Sequence, residues 1–326
     1  MLRRPRTRIA WTLALGLLWL PPTTAGASTQ IDVLVVYPQP ADDHLAKLIT
    51  WGRNHGETEM GAFLDADFAL VTEIYQRSGV DVVFEVVHHQ AIDLAYIDAA
   101  NWQVTLSLAL MNSELGTAVY EPYLEAIETL RDLNAADIVV YWRDFGDGGP
   151  SSNGAGSIGG GEDEAYVQLT YGGVNPPIVA HEVGHLLGGQ HSDGVQASAI
   201  FSIGGDDATL REYRSVMTIA VPLGLDDYRY LWQFSSDGAS VSGDVDCSPL
   251  SSNVQVCGFA EAVPLGDAEH DTVAVLSAMA PTVAAFRSAE SEAIPAASVP
   301  VRGLVGLMLA ALGARTLRHR RPSSRR

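Results

Sequence analysis

Residues 181–191 read His181-Glu182-Val183-Gly184-His185-Leu186-Leu187-Gly188-Gly189-Gln190-His191, the pattern HExxHxxGxxH. On a helix, His181 and His185 stand at i and i+4, one above the other on one face, so two imidazole nitrogens reach one ion at about 2.0–2.1 Å. Glu182 lies beside them, near enough to a water on that ion to act as a general base without being a ligand. Gly188 and Gly189 permit backbone conformations closed to other residues, so the helix stops after Leu187 and the chain turns His191 back toward the same ion. Three protein ligands leave a fourth position open, which is the arrangement of a catalytic zinc and not of a closed structural one. HExxH alone also occurs on surface helices with accidental histidines. With 9 His and 31 Gly in 326 residues, however, chance assembly of all five fixed positions is about a few in a hundred thousand.

Working outward, the chain before the motif alternates between two periodicities. Residues 31–37 (IDVLVVY), 80–88 (VDVVFEVVH), 136–142 (ADIVVYW) and 165–171 (AYVQLTY) are short β-branched runs that predict buried strands. Residues 61–78 and 120–133 carry helical spacing, and Gly79 stands where the first of these helices ends. Strands alternating with helices predict an α/β (α+β) fold whose sheet has parallel members. Residues 146–161 (GDGGPSSNGAGSIGGG) are glycine-rich but lack both GxxxxGK[ST] and GxGxxG, so they read as a loop or an edge beside a cleft and not as a phosphate cradle.

The ends carry different signals. Four arginines in the first eight residues, an apolar run over 9–20, Pro21-Pro22 and Ala25-Gly26-Ala27 give residues 1–27 the order of a signal peptide, with an uncleaved anchor as the other reading. Residues 294–326 place prolines, an apolar stretch over 303–314 and a run of arginines in series, which fits a C-terminal sorting signal or a membrane tail anchor. The body between them, 28–293, is long enough for one large domain or two lobes around a cleft. It holds nine Lys+Arg against 39 Asp+Glu, a net charge of −30, with Lys47 its only lysine. Such a field excludes nucleic acid as a partner. The acidity reads as a solvated surface or as a place for Ca2+, with Asp206-Asp207 and Asp226-Asp227 the nearest approach to clustered oxygens. Cys247 and Cys257 read as one disulfide in an exported protein, or as two free or metal-binding thiols. The remaining histidines of the body, His44, His55, His88, His89 and His270, read as surface or satisfied-core residues.

The extended motif resembles the metzincin signature, and within metzincins the chain is most similar to the reprolysin (adamalysin)-like secreted bacterial peptidases. That resemblance rests on the motif, on Met217 in YRSVMT, and on residues 31–37, 74–88 (IYQRSGVDVVFEVVH), 136–142 and 280–287 (APTVAAFR). It departs at Ser192, which precedes Asp193 where many reprolysins have aspartate directly after the third histidine. The C-terminal segment resembles the PEP-CTERM sorting signals of Gram-negative bacteria. The resemblance implies a metzincin-like catalytic domain: a twisted mixed sheet with helices in an upper lobe, a zinc helix over about 177–187 at the cleft, and a smaller irregular lower lobe ending in a helix near 271–287. It also implies Met217 in a methionine turn beneath the Zn2+, and a peptide substrate lying extended along an edge strand at about 155–160. As an isolated residue Met217 would be ordinary core.

The function so implied is a zinc-dependent metalloendopeptidase, with His181, His185 and His191 as ligands and Glu182 as base. Its partner would be a protein or peptide substrate, its membrane contact confined to the C-terminal segment, and its place outside the cell or at the outer envelope. Two other readings stand beside it: a zinc-binding pseudoenzyme serving as a surface adhesin or binding module, which would have no need of Glu182, and a hydrolase of a non-peptide amide. Oligomeric state has no signature in the sequence.

Overall fold

The computed structural model describes residues 28–38, 60–92, 121–143, 154–170, 176–218, 228–248 and 254–287. The proposed leader over 1–27, the segment 294–326, and Asp226-Asp227 lie outside the described residues. Among the described residues no helix is long and apolar enough to cross a membrane.

Four parallel strands and one antiparallel edge strand form the first sheet. They are β1 (Thr29–Pro38), β2 (Val82–Ile92), β3 (Ile138–Arg143), β4 (Gly154–Gly156) and β5 (Tyr166–Thr170), in the order β2-β1-β3-β5-β4. Only β4 runs antiparallel, its Ala155 opposite Gln168 of β5. The β-branched runs alternate strictly between two cores. Ile31, Val33 and Val35 of β1 and Ile138, Val140 and Trp142 of β3 face one side, while Leu34, Val36, Val139 and Tyr141 face the other. A sheet covered on both faces reads as continuous hydrophobic sequence, which is why these strands stand out.

One face is covered by α1 (Met60–Ser78), α3 (Pro176–Leu186) and α4 (Thr272–Val283), the other by α2 (Glu121–Leu133) through Ile127. Helix α1 buries Phe63, Leu64, Phe68, Val71, Ile74 and Tyr75, the stripe that helical spacing predicts. It ends where Gly79, at φ +96°, donates its N–H to Gln76 O while Val80 N–H reaches Tyr75 O, a pair of bonds that satisfies the last carbonyls. Helix α4 starts at Asp271, whose side chain accepts from Ala274 N at 3.1 Å.

The fold class is therefore the mixed α/β one expected, but the second half is not irregular. Strands β6 (Gln196–Ile203), β7 (Thr209–Arg214), β8 (Tyr228–Leu231), β9 (Ser240–Ser248) and β10 (Gln255–Pro264) close a barrel in the order β10-β6-β7-β8-β9. All its pairings are antiparallel except β7 with β8. Phe201, Tyr213, Leu231, Val241, Phe259 and Leu265 fill it, together with a disulfide between Cys247 and Cys257. The sequence hides this barrel because its strands expose many of their residues: in β9, six of nine positions lie open or half-open to solvent around the buried Val241, Cys247 and Ser248. Such a pattern of serines, glycines and aspartates reads as loop.

Candidate metal centre and catalytic cleft

Helix α3 opens on Pro176-Pro177, where a missing N–H costs nothing. Tyr75 of α1 fixes it from behind, its hydroxyl donating to Ala180 O at 3.0 Å. At the other end Gly188 adopts φ +85°; its N–H reaches His185 O at 2.9 Å and Gly189 N–H reaches Gly184 O at 2.9 Å. This is the same two-bond stop that ends α1, and it redirects the chain into the single 3-10 turn His191–Asp193. Asp193 secures that turn by accepting from Gln190 N at 2.7 Å, and the Asp193 carbonyl accepts from Thr272 Oγ1 at 2.9 Å and from Ser235 Oγ.

These constraints bring the three histidines together. His191 Nε2 lies 3.1 Å from His181 Nε2 and 3.1 Å from His185 Nε2, and all three ligand atoms fall within 4.8 Å of one another. A tetrahedral ion with bonds of about 2.0–2.1 Å needs nitrogens roughly 3.3 Å apart, so the cluster fits one such ion. The other ring nitrogens are oriented by backbone: His181 Nδ1 donates to Val216 O at 2.6 Å and His185 Nδ1 to Gly189 O at 2.8 Å. A carbonyl can only accept, so each Nδ1 carries the proton and each Nε2 turns its lone pair inward. Burial, reinforced by the neighbouring His185, pushes the His181 imidazole down to about 3, and burial also lowers His185 and His191. All three are thus neutral near pH 7, the state a metal requires. Among the described residues this is the one group of three or more His, Cys, Asp or Glu side chains gathered closely enough to hold an ion.

Glu182 sits on the same helix with 7% of its surface exposed, and burial raises its carboxyl to about 8. The edge strand lies directly on it. A Cβ on Gly154 would fall 2.6 Å from Glu182 Oε1, and one on Gly156 would fall 2.4 Å from Glu182 O. Gly159 N–H then donates to His185 O at 2.8 Å, so the segment after β4 is fastened along α3. The edge is shorter than the expected 155–160 because the chain leaves β5 after Gly156 to make this contact.

Met217 is fully buried under the helix. A Cβ on Gly184 would meet its Sδ at 2.7 Å, so the glycine between the two helical histidines is what admits the methionine. Ser215 and Thr218 tie this turn to Val195, through Val195 N to Ser215 Oγ at 2.9 Å and Thr218 Oγ1 to Val195 O at 2.9 Å. Sequence reasoning singled out neither Gly184, Gly154 and Gly156 nor the carbonyl of Val216. The glycines lay inside patterns already read, and a carbonyl has no letter in the sequence.

Other candidates stand apart. Asp206 is occupied by Arg211, at 2.8 Å, and by Ile203 N, at 2.6 Å, and it joins no oxygen cluster among the described residues. His89 Nδ1 lies 3.0 Å from the Tyr37 hydroxyl, and His270 pairs with Asp267 at 2.7 Å.

No family model matches the chain, and no curated protein does. Among solved structures it is similar to a chaperone–substrate complex at 17% identity, covering 80% of this chain and 36% of that one, with a TM-score of 0.48. It is also similar to the crystal structure of metalloproteinase-II from Bacteroides fragilis at 18% identity, covering 53% of this chain and 46% of that one, with a TM-score of 0.30. The chain spans less than half the length of either. At these scores the likenesses carry no argument, and the functional reading rests on the site itself.

Proposed function

We propose that this chain is a zinc-dependent metalloendopeptidase of metzincin type, exported through residues 1–27 and sorted or anchored through residues 294–326. The observation that carries the reading is the convergence of three neutral Nε2 atoms beside a buried carboxyl, roofed by the last strand of the sheet among the described residues. Softness and geometry of the donor set select zinc: three imidazoles with a fourth position open.

Zinc, when bound, supplies the Lewis acidity that polarises a carbonyl and brings the pKa of water toward about 7. The chain's own residues do the rest. His181 and His185 stay in one tautomer because Val216 and Gly189 hold their Nδ1 protons. Glu182, in its ionised form, takes a proton from the attacking water and gives it to the nitrogen as the C–N bond breaks. Among the described residues strand β4 pairs with β5 on one side only, so its other edge can align an extended peptide above Glu182. Because Gly154 and Gly156 have no side chains, the strand's own backbone packs directly against Glu182. Met217 gives the cluster an apolar floor.

The test is cleavage of an unstructured protein by the purified chain, with and without a zinc chelator, beside Glu182→Ala. Chelator-sensitive cleavage that disappears in Glu182→Ala is expected. A folded, zinc-loaded wild type that cuts nothing across a broad peptide library would sink the reading.

A further inference from the structure

Away from the histidines, two arginines and four acidic residues form a second polar centre that the proposed chemistry does not use. Arg131 of α2 is fully buried and donates to three backbone carbonyls, Nε to Ala136 O at 3.1 Å, Nη2 to Asp137 O at 2.6 Å and Nη1 to Glu162 O at 2.8 Å, with the Glu128 carboxylate 3.5 Å from Nη1. Arg287, the last described residue, places its guanidinium 2.9 Å from Glu128, 3.0 Å from Asp132, and against the carboxylate of Glu162. Its backbone N–H reaches Asp137 Oδ1 at 3.2 Å, and the other Asp137 oxygen accepts from Asp32 N at 2.9 Å. Asp137 is 3% exposed. The centre therefore joins β1, α2, the start of β3 and the end of the described chain at one residue of the β4–β5 connection, Glu162.

Glu162 opens the 3-10 turn Glu162–Glu164, in which Glu164 N–H returns to Gly161 O at 3.0 Å. Five residues earlier the chain leaves β4 and is fastened to α3 through Gly159 and His185. The cleft edge is thus held at two points, by the metal-bearing helix at one and by two arginines at the other. Three residues of β4, two of them glycine, contribute little stiffness of their own.

We propose that Arg131 and Arg287 are positioning residues for the substrate-binding edge, fixing the height of Gly154–Gly156 over Glu182 through their shared hold on Glu162. This rests on the peptidase reading for what the edge binds, though not for the mechanical link. Hydrogen bonds from charged groups are the strong ones, so loss of one anchor loosens the segment by at least about tenfold in its opening equilibrium.

The experiment uses the full chain and the variants Arg287→Met, Arg287→Lys and Arg131→Met. Amide hydrogen exchange over residues 154–161 should quicken about tenfold in Arg287→Met while exchange in α1 holds, with Arg287→Lys intermediate. In peptide cleavage KM should rise about tenfold, with kcat and zinc content unchanged. Unaltered exchange over 154–161 in Arg287→Met overturns the proposal, as does loosening shared equally by α1. Arg131 is buried, so its replacement can unfold the protein; half-buried Arg287 then decides alone. If wild type cuts no peptide, the peptidase reading fails, and the exchange comparison still decides the link.

Discussion

The sheet half and the barrel half meet at the histidine cluster but are built by opposite rules. The sheet buries both faces at its centre, so its strands are largely apolar runs and its helices carry wide apolar stripes with glycine stops. The barrel buries only its inside, around Phe201, Tyr213, Leu231, Phe259 and a disulfide, and exposes serines, glycines and acids outside. The labour divides along the same line. The sheet half brings the helix with Glu182, His181 and His185 and the edge that lies over them; the barrel half brings Met217 and the carbonyl that orients His181. The buried carboxyl thus sits on the sheet side, and the supports of the histidines come from both, Gly189 O from the sheet half and Val216 O from the barrel half.

That division can be broken by removing one side's contribution at a time. The largest effect belongs to the base: Glu182→Ala should lower kcat by about 10²–10⁴-fold with zinc content intact, read by steady-state cleavage and metal analysis. Next comes crowding of the roof. Gly154→Ala places a methyl 2.6 Å from Glu182 Oε1, and a displaced base should cost about tenfold to a hundredfold in kcat/KM without loss of zinc. From the barrel side, reducing the Cys247–Cys257 disulfide or replacing both cysteines by serine should destabilise the protein by about 2–4 kcal/mol in denaturant unfolding. Gly184→Ala presses on Met217 Sδ and should cost about 1–3 kcal/mol, seen as a melting point lower by several degrees.

Acid gives the mildest test. The three imidazoles lie below the ordinary 6.5, His181 at about 3. Protons therefore compete for the ligands only below that value: zinc affinity should be level from pH 8 to about 6.5 and fall as the pH drops further. A fall beginning well above pH 6.5 would show that the cluster is more open to water than its burial implies.

How much of this could be read from letters follows from the same division. Residues 31–37, 80–88, 136–142 and 165–171 announced strands because two-sided burial leaves few polar interruptions, and Gly79 and Gly188 announced helix ends because each takes a positive φ there. Helix α3 and the turn to His191 were legible to within a residue, since metal chemistry fixes residue types at fixed spacing. The barrel was not, because one-sided burial over short strands leaves a pattern shared with loops. Nor were Gly154, Gly156 and Gly184, whose role is to be smaller than anything else at a contact between segments distant in sequence.

The free edge has a consequence for life at high concentration. An unpaired strand invites pairing with a second copy of the same protein, and longer flat edges are where secreted proteins begin to aggregate. Here the edge is three residues, Gly154–Gly156, and the chain turns onto α3 straight after it. It offers a handful of backbone groups, too few to seed an intermolecular sheet. The 30 net negative charges on the surrounding body add a repulsion between copies that works in the same direction.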